Sequence, residues 1–160
     1  MVKEYKGYIE SEIGFIEVVG TEKGILSVGF VEGRSVGSRS LHPRVQACVK
    51  QLEQYFEGKR EEFSMELVLE GTHFQKKVWE QLIKIPFGKT VSYKYIANSI
   101  GNSNAARAVG NANGKNKIAI IVPCHRVIEN NGNLGGYGGG LWRKEWLLKH
   151  ERTILSRSVI

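Results

Sequence analysis

The feature that most limits what this chain can fold into is a change of hydrophobic period at Gly71-Thr72. Before it, Tyr5 to Glu10, Phe15 to Val19 and Ile25 to Phe30 are short runs rich in β-branched and aromatic residues, separated by Gly14 and by Thr21-Glu22-Lys23-Gly24. Such runs between turn residues predict strands. The Gly/Ser/Arg stretch from Gly33 to Ser40 predicts a loop. From Pro43 to Phe56 the apolar residues Val45, Cys48, Val49, Leu52, Tyr55 and Phe56 recur at helical spacing, and Gly58 follows the end. Met65 to Leu69 reads as one more strand. Three strands, a helix and a further strand make a small α/β unit without a catalytic constellation. Cys48, on the apolar stripe of its helix, is expected to be a buried structural thiol.

After Gly71 the period is helical. Thr72 or His73 can cap a helix running to about Ile85, with Phe74, Val78, Trp79, Leu82 and Ile83 on one face and Pro86-Phe87-Gly88 ending it. Ser92 caps a short helix from Tyr93 to Ile100; Gly101-Asn102 turns the chain, and Ser103 caps a third from Asn104 to about Asn113. Ala97 lies four residues before Gly101, so the second of these two helices can cross close over the first, as in a helix-turn-helix. The helix Ala105-Ala106-Arg107-Ala108-Val109-Gly110 is nearly bare of large side chains and suits close approach to another surface, with Arg107 its one long side chain there. A β-branched run, Ile118 to Val122, predicts a buried strand that Pro123 breaks before Cys124-His125-Arg126-Val127-Ile128. The loop from Gly132 to Gly140 holds six glycines in nine residues. An amphipathic helix from Leu141 to about Glu151 carries Trp142 and Trp146 one turn apart, and Arg152 to Ile160 reads as a loose tail.

The chain of 160 residues is therefore expected to be an α+β protein with domains at 1–71 and 72–151 and a tail at 152–160. A chain this long can bury roughly two-thirds of its unfolded surface. No apolar run approaches the roughly 20 residues of a membrane span, and the N-terminus has no secretory apolar segment. A soluble, cytoplasmic protein is expected.

Charge narrows the partner. Residues 1–72 carry 9 basic and 12 acidic side chains, net −3, whereas residues 73–160 carry 14 basic and 4 acidic, net +10. No acid occurs from Gln81 to Ile128, a span that holds Lys84, Lys89, Lys94, Arg107, Lys115, Lys117 and Arg126. Such a segment attracts polyanions, although a solvated basic face would look the same. All 16 acids are glutamate. That disfavours the EF-hand loop and aspartate-built two-metal centres. Two cysteines and four histidines are too few for a Cys-rich zinc module or a disulfide scaffold.

Cys124 is the candidate nucleophile. His125 and Arg126 bring a base or positive charge near the sulfur, and such surroundings favour a thiolate. On an extended strand Cys124 and His125 point to opposite faces, so their contact needs a turn or a bridging water. The group that orients the imidazole cannot be aspartate. Glu151, at a helix C-terminus where the macrodipole disfavours an anion, is expected to have a cationic or hydrogen-bonding partner.

These residues carry a resemblance. Val91-Ser92-Tyr93, the Asn104 to Gly110 helix, Asn116, Pro123-Cys124-His125-Arg126-Val127, Gly136-Tyr137-Gly138-Gly139-Gly140 and Lys144 to Glu151 follow one another as in the O6-alkylguanine-DNA alkyltransferase family. The resemblance spans about residues 72–151. It implies a ribonuclease-H-like N-terminal domain, a winged-helix-like C-terminal domain, and direct repair of O6-alkylguanine in double-stranded DNA. A monomer is expected, with no cofactor and no metal. Ser92, Ala105, Ala106, Ala108, Gly110 and Lys115 would lie along the minor groove, and Arg107 would fill the stack after the base rotates out. Cys124 would attack the alkyl carbon, and His125, through a water and oriented by Glu151, would take the thiol proton. Tyr93 would donate toward the guanine, while Asn116 braces the segment. The carbonyls of Cys124 and Val127 would read the exocyclic amine, the Gly138 amide would donate to O6, and Tyr137 would shape the pocket loop.

The chain departs from the family where many relatives have proline at Ser103, Lys117 and Ala119, and serine at Gly138. Loss of the ring at Ala119 predicts weaker reaction with O6-benzylguanine. Alkyltransferase-like proteins that bind lesions without repairing them lack the cysteine. A winged-helix regulator with a structural Cys124 would leave Tyr93, Asn116, His125 and Glu151 unexplained. A thiol hydrolase or acyltransferase would give the helix-turn-helix no role.

Overall fold

The computed structural model describes residues 2–33, 40 and 42–157. The chain has the expected α+β character and divides into two compact units, residues 1–70 with 117–119, and residues 71–116 with 120–160.

In the first unit, β1 (Tyr5–Ser11), β2 (Gly14–Thr21) and β3 (Gly24–Val31) form an antiparallel sheet in sequence order, registered Tyr5 to Gly20 and Phe15 to Val31. Turn chemistry sets the hairpins: Ser11 Oγ donates to the Gly14 carbonyl at 2.7 Å, and Thr21 Oγ1 accepts from the Lys23 amide at 3.1 Å. Helix α1 (Pro43–Phe56) lies close on the sheet, because a Cβ on Gly7 would come within 2.6 Å of Val45. Val45, Cys48, Leu52 and Tyr55 are fully buried along it, and burial pushes the Cys48 thiol up to about 12, as suits a structural cysteine.

Two expected strands are corrected here. Met65 to Leu69 makes only a single parallel bridge, Leu67 to Ile25. The run from Ile118 to Val122 makes a single parallel bridge to β3, Ile118 to Val28, through the Lys117 carbonyl and the Ala119 amide, and then turns at Ile120, whose φ is +72°. Its β-branched residues are buried as predicted, but burial does not require extension once their backbone groups find other partners. The Ala119 amide is one such group, a donor that proline would remove. Most of the expected Gly33–Ser40 loop lies outside the described residues.

In the second unit, α2 (His73–Ile83) starts with a reciprocal capping box between Thr72 and Gln75. It buries Val78, Trp79 and Leu82, whereas Ile83 is exposed. Strand β4 (Val91–Ser92) leads into α3 (Tyr93–Ser99), which Ser92 caps by accepting from the Tyr95 amide at 3.0 Å. Gly101, at φ +79°, closes the turn to α4 (Ala106–Gly114) above a fully buried Ala97. Ser103 does not cap α4. A turn with the Ala105 amide bonded to the Asn102 carbonyl holds it outside, so the helix begins at Ala106 without a side-chain cap. The Trp79 indole anchors the far end of α4 by donating to the Ala112 carbonyl at 2.9 Å.

A 3-10 turn (Cys124–Arg126) follows Pro123 and passes into β5 (Val127–Ile128), which pairs parallel with β4. Helix α5 (Leu141–Arg157) ends the described chain, so residues 152–157 are helical and not a loose tail; residues 158–160 lie outside the description. Its buried face is Lys144, Leu147, Leu148 and Glu151, while Trp142 is exposed. No helix among the described residues is long and apolar enough to cross a membrane.

Candidate active site and nucleic-acid interface

The expected strand through Cys124 and His125 is replaced by the 3-10 turn, which places both side chains in the interior of the second unit. The turn is fixed by amide side chains from the end of α4. Asn116 Nδ2 donates to the Val122 carbonyl at 2.8 Å and Asn113 Nδ2 to the Cys124 carbonyl at 3.3 Å. Beyond the turn, the β4–β5 pairing ties the segment after Cys124 to Ser92, directly before Tyr93.

Glu151 and His125 are both fully buried, with His125 Nε2 2.7 Å from Glu151 Oε2. Arg126 closes the other side of the carboxylate: its Nε donates to Oε1 at 2.8 Å and its second terminal nitrogen to Oε2 at 3.1 Å. Its first terminal nitrogen donates to the Ile85 carbonyl at 2.7 Å, and the Gly88 amide donates to Glu151 Oε1 at 3.1 Å. Burial opposes ionisation of Glu151, but His125 and Arg126 outweigh it and hold the carboxyl well below the usual carboxylate range. Glu151 lies inside α5 and not at its end, so the helix-dipole ground for the expectation falls, but the cationic partner is there.

Burial holds His125 below its ordinary value, against the pull of Glu151, so the imidazole is neutral near pH 7. A neutral ring beside an ionised carboxylate puts its proton on Nε2. Nδ1 is left as a buried acceptor without a partner among the described residues. Burial also raises the Cys124 thiol; hydrogen bonds from the Asn116 side chain and the backbone amides of Cys124 and His125, and the charge of Lys144, act the other way. The resting sulfur is therefore a thiol, with these hydrogen bonds and the Lys144 charge offsetting part of the burial that opposes its ionisation.

Three residues at this site escaped the sequence reading. Arg126 was expected to serve the sulfur and instead serves Glu151. Lys144, fully buried, supplies the positive charge near Cys124 and donates to the carbonyls of Val127 at 2.7 Å and Gly136 at 3.1 Å. Burial lowers it to about 8. A lysine and a glutamate seven apart on one apolar helical stripe, with Leu147 and Leu148 between them, was the available signal. Asn113 gave none beyond its place near a helix end.

The remaining expected residues fall into two groups. Tyr93 is half-buried beside the glycine loop, where a Cβ on Gly135 would come within 2.8 Å of its hydroxyl. Burial, Glu129 and Cys124 keep that hydroxyl protonated. Val127 is fully buried; among the described residues the Tyr137 hydroxyl is buried without a partner, and Gly138 is exposed with nothing near where a side chain would begin. On α4 and its flanking residues, Arg107, Ala108 and Lys115 are exposed, Ala106 and Gly110 are half-buried, and Ala105 is buried. The helix thus presents a thin, low ridge with one long cation.

Comparison with known proteins identifies the family of both parts of the chain. Residues 73–153 match the family model described as 6-O-methylguanine DNA methyltransferase, DNA binding domain, and residues 4–69 match its ribonuclease-like domain. The chain is 47% identical over 156 residues to a methylated-DNA–protein-cysteine methyltransferase of Methanosarcina barkeri, covering 94% of this chain and 99% of that one. It is 48% identical over 148 residues to one of Mycolicibacterium paratuberculosis, covering 90% of each. Among solved structures, the Mycobacterium tuberculosis O6-methylguanine methyltransferase superposes with a TM-score of 0.83 at 43% identity over 94% of both chains. A structure of the same organism's enzyme in complex with DNA gives 0.83 at 47% identity over 92% of both. With both domains matched in order and relatives near half identical over most of the chain, the chain belongs to the 6-O-methylguanine DNA methyltransferase family.

Proposed function

We propose that this protein repairs DNA by direct damage reversal, moving the alkyl group of O6-alkylguanine in duplex DNA onto Cys124. The observation that carries the reading is the buried line of Cys124, His125, Glu151 and Arg126, with a neutral imidazole whose Nδ1 is free to accept a proton. The exposed ridge of α4 docks in the minor groove, where small side chains allow close approach and the uncapped first turn can face a phosphate. Arg107 fills the stack left by the rotated base.

In the pocket, the Cys124 sulfur forms a bond to the alkyl carbon while the C–O6 bond breaks with its electron pair moving into the guanine. The thiol proton passes through a water to His125 Nδ1, and Glu151 steadies the imidazolium. Tyr93 donates to the departing base, so the net change carries one proton from the thiol to the restored guanine. The carbonyls of Cys124 and Val127 accept from the exocyclic amine, the Gly138 amide donates to O6, and Tyr137 lines the loop. The product is a thioether, which thiol exchange does not reverse, so each monomer acts once. Lys115 and Ser92 contact the backbone beside α4.

The test is incubation with a duplex bearing O6-methylguanine, followed by mass mapping of the Cys124 peptide. A methyl adduct there, absent from Cys124→Ser, supports repair. An unmodified peptide with intact DNA binding would favour a regulator in which the cysteine is structural.

A further inference from the structure

The two carbonyls assigned to the exocyclic amine of the base are each held by one buried side-chain donor, Cys124 by Asn113 and Val127 by Lys144. Asn113 is the less expected of the two. It lies on the last turn of α4, is 5% exposed, and uses only its donor end, since Oδ1 is buried without a partner among the described residues. A rotated amide would set Oδ1 against the Cys124 carbonyl, oxygen to oxygen, so only the observed orientation attracts. A buried amide with one end unpaired is a costly choice where leucine has similar size. What it retains is the bond to the carbonyl of the nucleophile's own residue.

From this juxtaposition we infer that Asn113 is a positioning residue for base recognition. It occupies one lone pair of the Cys124 carbonyl and aims the other at the 2-amino group of the purine. The inference rests on the pocket reading above, in which that carbonyl accepts from the base. Asn113 differs in task from Asn116, which holds the Val122 carbonyl and bonds the sulfur. It also links recognition to docking: the Trp79 indole fixes the Ala112 carbonyl, so the end of the DNA-facing helix and the base-reading carbonyl are held by successive residues. Lys144 is placed to do the same for Val127, but its charge acts on Cys124 as well, so Asn113 gives the cleaner test.

The experiment compares single-turnover alkyl transfer from O6-methylguanine and from O6-methylhypoxanthine, which lacks the 2-amino group, in otherwise identical duplexes. The ratio of the two rates on one preparation is independent of the fraction folded. The unsubstituted protein should favour O6-methylguanine by about tenfold or more, as one or two hydrogen bonds allow. In Asn113→Leu and Asn113→Asp, which remove the donor with opposite changes in polarity, that ratio should shrink about three- to tenfold, mainly through slower reaction of O6-methylguanine. If both substrates slow equally in both variants, Asn113 is structural and the inference fails while the pocket reading stands. If the unsubstituted protein shows no preference, the carbonyls do not read the amine and both fail.

Discussion

Arg126 and Glu151 meet fork to fork in the interior, with Nε 2.8 Å from one carboxylate oxygen and a terminal nitrogen 3.1 Å from the other. Arg126 also lies over the Phe87 ring, 5.7 Å from its centroid, so the guanidinium is held on one face as well as at its edge. Because it is always charged, it keeps Glu151 ionised whatever the state of His125.

Arg126→Gln should therefore cost about 3–5 kcal/mol of stability, the usual penalty for leaving one member of a buried pair alone. Its pH signature is distinctive. In the intact protein the folded carboxyl sits below its unfolded value of about 4.3, so its stabilising contribution is complete above that value and is lost as pH falls through the folded pKa. In the variant the folded carboxyl moves up toward or past its unfolded value, so this loss on acidification should shrink or reverse. Urea unfolding from pH 3 to 7 measures both effects; parallel curves for the two proteins would refute the coupling.

Glu151→Gln leaves the buried Arg126 without its anion and should also cost about 3–5 kcal/mol of stability; in the protein that stays folded it should impair the base. Proton transfer by a positioned imidazole is worth about 10²- to 10⁴-fold, and the amide cannot steady an imidazolium, so transfer should slow by about a hundredfold. The pH profile gives the direction. His125 is held low by burial and pulled up by Glu151, so the decline in rate on the acid side should begin below about pH 6.5 and move further down in the variant. Single-turnover rates between pH 5 and 8.5 decide it; an upward move would mean that Glu151 does not act on the ring.

Much of this was legible in the chain. Period and turn chemistry gave β1 to β3 and α1 to α3 closely, because each stands on a local signal: a turn hydroxyl at Ser11 or Thr21, a cap at Thr72 or Ser92. The segment from Ile118 to Val127 was misread in conformation because its backbone is governed by distant groups, the Asn113 and Asn116 amides and the Val28 strand. The expectation for Glu151 rests on its helix ending there, whereas α5 continues to Arg157 and burial with Arg126 and His125 is what sets it apart. Arg126 did not reveal itself, since its neighbour in sequence was the sulfur and its partner lies 25 residues away.

Gly135 couples the loop to Tyr93. Its φ is +72°, and a Cβ there would come within 2.8 Å of the Tyr93 hydroxyl and 3.2 Å of its ring. Gly135→Ala should cost about 1 kcal/mol for the left-handed backbone alone and displace the tyrosine, slowing transfer about tenfold with DNA affinity unchanged. Gly136→Ala, with open space at its Cβ and no positive φ, should keep stability within about 0.5 kcal/mol. Equal destabilisation of the two would place the constraint in the loop as a whole.

Arg107 separates docking from chemistry. It is exposed on α4, away from the Glu151 network, so Arg107→Ala should leave transfer from free O6-methylguanine base nearly unchanged. Transfer from a duplex should fall, because the rotated base is no longer replaced in the stack. Binding to DNA should weaken with salt in both proteins, since lysines and arginines displace counterions from phosphate. A residue that fills the stack makes no phosphate contact, so the slope of log affinity against log salt should stay the same in the variant. A slope reduced by about 1, with duplex and free-base rates falling together, would make Arg107 a phosphate contact and remove it from base rotation.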